Sequence, residues 1–103
     1  MDYSHRTFAL WAYSVSHASL LLRSVKGDFD ASRIDILFTN VGRLDLPTTL
    51  TGVKITRSCA DGQATFTVEG DGYSGYVVAG SVASQEDDGE YHEPSRLWPA
   101  HTS

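Results

Sequence analysis

The sequence is short of the things that usually give a small protein away. It has one cysteine, Cys59, so an internal disulfide and a Cys-based zinc cluster are both excluded. Lysine is nearly absent, with only Lys26 and Lys54, and the arginines are scattered. That spacing argues against nucleic acid, which is held by clustered cations on phosphates. The longest apolar run is Phe8 to Tyr13, far below the ~20 residues a membrane helix needs. Asp2 and His5 make a poor basic region for a signal peptide, so a cytoplasmic protein is expected. His5, His17, His92 and His101 fall in none of the spacings that write a metal site locally. No G-x-S-x-G elbow is present. No cofactor, metal or catalytic constellation is therefore expected.

What remains is ordinary globular composition, with 41% hydrophobic and 20% charged residues across 103 positions, enough for one domain. The net charge of −5 is unevenly placed. Residues 1–84 are nearly balanced, whereas residues 85–103 hold five acids and one base. A β domain over 1–84 followed by an acidic, irregular tail over 85–103 is the expected division.

Alternation with period two dominates the middle of the chain. Ile34, Ile36 and Phe38 point one way and Asp35, Leu37 and Thr39 the other, as in a half-buried strand. Leu44 and Leu46 continue that pattern up to Pro47, which lacks a ladder donor. Val53 and Ile55, then Ala64, Phe66 and Val68, alternate in the same way. Asp61-Gly62 between them is a hairpin signal, and Glu69 to Gly72 reads as a second turn. Tyr73 to Val82, rich in aromatic and β-branched residues, completes a three-stranded meander over 53–82. The N-terminal third has two readings. Ala9, Trp11, Tyr13 and Val15 alternate as a strand that returns after Ser16–Ser19 through Leu20–Val25, while Phe8, Trp11, Ala12 and Val15 also trace a helical stripe. The serines, aromatics and valines favour the hairpin. The expected fold is all-β, a single small sandwich or open barrel with a C-terminal meander. An α+β fold, or a helix-closed barrel of pleckstrin-homology-like type, is the alternative.

Several apparent motifs dissolve on inspection. Gly70, Gly72 and Gly75 match G-x-G-x-x-G, but a dinucleotide site needs a helix after the glycines, and Tyr76-Val77-Val78 reads as strand. Asp28-Phe29-Asp30 opens like a calcium loop and lacks the glycine and glutamate that complete one. Cys59 shares a strand face with Arg57, a cation that could lower a thiol pKa; a small residue beside a turn is the plainer account. His17 with Asp35 or Asp45 would be the acid–base pair of an enzyme, if the fold brought them together. The tail is the distinctive feature, with Tyr91, Leu97 and Trp98 among carboxylates. Glu86, Asp87, Asp88, Glu90, Tyr91 and Trp98 are the candidate partner-binding residues, with aromatics supplying area and acids steering a basic protein surface. The expected function is a non-enzymatic binding module of bacterial inhibitor or immunity type, with homodimerisation through an edge strand open to it. A small-ligand barrel, suggested by eleven per cent aromatic residues, and an enzyme built on His17 and Asp35 are the alternatives.

Overall fold

Eight strands account for nearly all of the described chain: β1 (Asp2–Ser14), β2 (Ser19–Ser24), β3 (Arg33–Thr39), β4 (Arg43–Asp45), β5 (Thr49–Ala60), β6 (Gln63–Gly70), β7 (Tyr73–Ala79) and β8 (Ser81–Asp87). The computed structural model describes residues 1–25, 32–60 and 63–89. All neighbours are antiparallel, in the order β4-β7-β6-β5-β1-β2-β3-β8. No helix occurs among the described residues, so the all-β expectation holds and the α+β alternative, which needed a helix in the N-terminal third, does not; the terminal helix of the pleckstrin-homology-like alternative falls outside the described residues. The N-terminal segment is the hairpin: β1 and β2 pair from Ala9↔Arg23 to Ser14↔Ser19.

The sheet cannot be flat. β3 and β6 are four places apart in the order, about 19 Å at ~4.8 Å per strand. Yet the Phe38 and Phe66 rings lie 5.7 Å apart, centroid to centroid, edge to face. The sheet therefore folds over and buries its own apolar face. Leu20, Leu22, Ile34, Ile36 and Phe38 from one half meet Val53, Ile55, Phe66, Val68 and Val77 from the other. These are the alternating positions of each strand, so local periodicity and the core agree.

The fold-over is made at a corner. β3 and β4 are separated by residues 40–42, and β7 and β8 by Gly80 alone. Hydrogen bonds from Gly80 N to Thr39 O and from Gly42 N to Val78 O, both 2.9 Å, carry the pairing across the break. The β3–β8 ladder thus runs into the β4–β7 ladder, and the two ends of the sheet meet as an open barrel. Asn40 turns the corner at φ 58°, a left-handed conformation that asparagine tolerates better than most residues. Two expectations change here. Leu44 lies on β4, a separate strand, rather than continuing β3. Tyr73–Val82 is two strands that belong to opposite halves of the sheet. The meander itself is present as β5-β6-β7, and the ladder Lys54↔Glu69 to Ala60↔Gln63 places only residues 61–62, outside the described set, between its first two strands. Gly70 and Gly72 close the next turn, and strand rather than helix comes after them.

β1 bends where three of its residues, Ser4 to Arg6, oppose Gly52 alone on β5. Gly52 adopts φ 76°, and a Cβ on Gly70 would collide with its carbonyl oxygen, so the two backbones touch without side chains. Tyr73 closes this contact by donating its hydroxyl to Gly52 O at 2.5 Å. Partial burial, then the neighbouring Asp71 charge, push the Tyr73 hydroxyl above the ordinary tyrosine pKa.

Gly70→Ala is expected to destabilise the protein by about 1–3 kcal/mol, read from urea unfolding, because backbone must move to admit the methyl. Tyr73 holds its proton more tightly folded than unfolded, so its stabilising effect is whole below about pH 10 and fades as pH rises through the folded value. Tyr73→Phe should flatten that alkaline loss in melting curves taken from pH 8 to 11; an unchanged profile would remove the assignment.

Candidate functional site

β2 and β3 are buried on both faces. On the face turned away from the core, Arg23 stands opposite Asp35 and Arg33 opposite Asp87. The carboxylate of Asp35 accepts from Arg23 Nε at 2.7 Å and Nη2 at 3.2 Å, and Arg33 Nε lies 3.9 Å from its Oδ2. Arg33 in turn grips both oxygens of Asp87 at 2.9 Å, a forked pairing suited to guanidinium. Trp11, at the bulge in β1, covers the Arg23 guanidinium at 5.2 Å from its ring centre. Four charged groups alternate in sign across three strands, and each carboxylate meets a cation. Such a line holds register, because a slip of one residue would bury a charge against nothing.

A second polar cluster lies on the core-facing side. Arg6 is 4% exposed and donates Nε to Ser24 Oγ at 3.0 Å, and Nη2 to Ser32 O at 2.7 Å. Ser32 Oγ donates onward to Glu86. Tyr3 reaches from β1 to Ser84 Oγ at 3.0 Å. These bonds tie β8 to β1 and to the residue preceding β3.

The acidic residues expected to meet a partner separate accordingly. Asp87 is held by Arg33 and also accepts from Gly89 N at 3.0 Å, and Glu86 accepts from Ser32. Asp88 is exposed. Gln85, Glu86 and Asp87 are strand residues of β8, which therefore extends into the segment expected to be irregular. Glu90, Tyr91 and Trp98, like Leu97, lie outside the described residues, as does the Asp28–Asp30 loop.

His17 and Asp35 are not brought together. His17 sits in the turn between β1 and β2, its Nδ1 3.1 Å from both Ser14 Oγ and Ser16 Oγ. Asp35 is paired with Arg23, near the opposite end of β2. Asp45 is on β4. The geometric support for an acid–base pair at His17 and Asp35 is gone. Among the described residues, no three His, Cys, Asp or Glu side chains converge on a metal position.

Two shallow clefts flank the corner. One, about 360 Å³, lies among Asn40, Gly42, Arg57, Cys59, Val78 and Gly80. The other, about 340 Å³, lies among Met1, Ile55, Arg57, Phe66, Gly80 and Val82. Arg57 and Gly80 border both. Arg57 and Cys59 do share a strand face, as alternation requires, and Cys59 is exposed. Sequence reasoning saw Arg57 only as a neighbour of Cys59. It missed the Arg23–Asp35–Arg33–Asp87 line altogether, although the unbroken apolar run Leu20–Leu22 was a signal that β2 is covered on both faces.

Among the described residues, no helix is long and apolar enough to cross a membrane. Comparison with protein families, curated proteins and solved structures finds no significant match to the chain.

Asp35→Ala leaves two buried guanidinium groups short of a carboxylate, and a loss of about 3–5 kcal/mol is expected in denaturant unfolding. A loss below about 1 kcal/mol would show that the line of charges is incidental to the fold.

Proposed function

We propose that the protein is a non-enzymatic binding module, cytoplasmic and of inhibitor or immunity type, that takes a basic partner along β8. The observation that supports this reading is the position of β8 at one end of the strand order, with β3 on one edge and no described strand on the other. An unpaired edge offers a row of backbone donors and acceptors to an extended segment of another chain. Glu86 and Asp88, exposed at the carboxyl end of β8, put negative charge beside that row. The sequence adds Glu90 and Glu93 shortly after it, with Tyr91 and Trp98 as aromatic anchors. Asp87 serves differently, holding the strand in place through Arg33. A lysine- or arginine-rich strand would gain both ladder bonds and charge complementarity there, with steering that weakens as salt rises.

A second copy of the chain is the competing occupant of the same edge. Two acidic edges repel, so pairing between copies should be favoured by high salt and pairing with a basic partner by low salt.

The test is affinity capture from the host, then reconstitution with the purified partner at about 50 and about 300 mM salt, which brackets the range where screening changes most. The Asp88→Lys/Glu90→Lys variant, which leaves the Arg33–Asp87 pair intact, should bind at least about tenfold more weakly at low salt. Failure to reconstitute any complex, or a complex indifferent to both salt and the variant, would discard the reading. Sedimentation of the protein alone at the same two salt concentrations detects self-pairing.

A further inference from the structure

The corner clefts carry a charge pattern unlike the rest of the molecule. The chain is acidic overall, with a net charge of −5, yet no described aspartate or glutamate borders either cleft. Arg57 is the charged side chain among the described residues of both linings. Its guanidinium makes no ion pair or hydrogen bond among the described residues, whereas Arg6, Arg23 and Arg33 are each engaged. Beside it the floor is apolar: Ile55 and Phe66 are core residues that reach the cleft, and Val82 packs against the same core. On the other side of Arg57 the wall turns polar, with Asn40 and the Cys59 thiol. A cation without a described partner, next to an apolar floor in a space of about 340 Å³, is the pattern of a small-ligand site in which one polar contact orients an apolar body.

We propose that this corner binds a small amphipathic carboxylate, with its head on Arg57 and its apolar body over Ile55, Phe66 and Val82. The carboxylate suits the guanidinium because the planar fork donates to both oxygens at once. The body suits the floor because Ile55, Phe66 and Val82 line it with apolar side chains continuous with the core. Met1, whose terminal ammonium is a second cation, borders the same cleft, so both charges the chain brings there favour an anion. The site is distinct from the carboxyl end of β8, so Asp88→Lys/Glu90→Lys should leave it unchanged and the two proposals fail separately.

Cys59 supplies the readout in the unaltered protein, since it is the one cysteine of the chain, is exposed, and borders the cleft that shares Arg57. Its alkylation rate with iodoacetamide, an uncharged reagent not drawn to Arg57, is measured with decanoate, decanol and acetate, each below its aggregation concentration. Affinities are measured in parallel by calorimetry. Decanoate is expected to bind saturably and slow alkylation, acetate to do neither, and decanol to bind about tenfold more weakly for want of a charge-assisted bond. Arg57→Gln should weaken decanoate by a similar factor and leave decanol unchanged, while Arg57→Lys should restore part of the loss. Arg57 is an exposed strand residue, so circular dichroism and melting should be unaltered in both variants. The proposal is overturned if decanoate fails to bind at millimolar concentration, or if decanoate and decanol bind alike and Arg57→Gln changes neither.

Discussion

A sheet of eight antiparallel strands with one apolar face must bury that face somewhere, and this chain has no described helix or second sheet to lay against it. The solution is a corner where two paired segments bend together, and the contact between the two halves of the core, such as Phe38 with Phe66, depends on it. Gly80 on one segment and Asn40–Gly42 on the other interrupt the strands, and the hydrogen bonds from Gly80 and Gly42 keep the segments joined through the bend. Phe38 then reaches Phe66, and a single core forms from both halves. The corner also leaves gaps. Where the strands bend, side chains no longer cover the floor evenly, and the two clefts that share Arg57 and Gly80 lie there.

Charge is used in two ways that the composition alone does not separate. The Arg23–Asp35–Arg33–Asp87 line is buried and paired, and it holds β2, β3 and β8 in one register although four ions are desolvated to form it. Asp88 stands outside that line and is exposed. The tail that reads as a uniform run of negative charge therefore divides at Asp87. The strand up to that residue belongs to the fold, and Asp88, just beyond it, begins the acidic surface proposed for a partner. Arg57 is the converse case, a cation in clefts that no described acid borders.

Side-chain alternation is local, and that is why so much of the fold could be read early. Ile34, Ile36 and Phe38, or Ala64, Phe66 and Val68, declare a strand and its inward face within five residues, and each of those six is in the core. Turn chemistry is equally local, so Glu69–Gly72 and Ser16–Ser19 were legible as reversals, and with them the all-β class and the β5-β6-β7 meander. The candidate site was legible only in fragments, as the shared strand face of Arg57 and Cys59.

Pairing is not local. Arg23 and Asp35 are twelve residues apart, Arg33 and Asp87 fifty-four, and no periodicity states that either pair will meet. The split of Tyr73–Val82 at Gly80 comes from the need to fold the sheet, since the same residues would alternate equally well as one straight strand. His17 and Asp35 were compatible with a shared site until register placed them toward opposite ends of β2. Residue order alone was enough to declare the strands that alternate cleanly, such as β3 and β6, and the face each turns inward. Which strand lies beside which, and hence where charges pair and where clefts open, was settled by the one folding of the sheet that buries its apolar face and leaves each buried carboxylate beside a guanidinium.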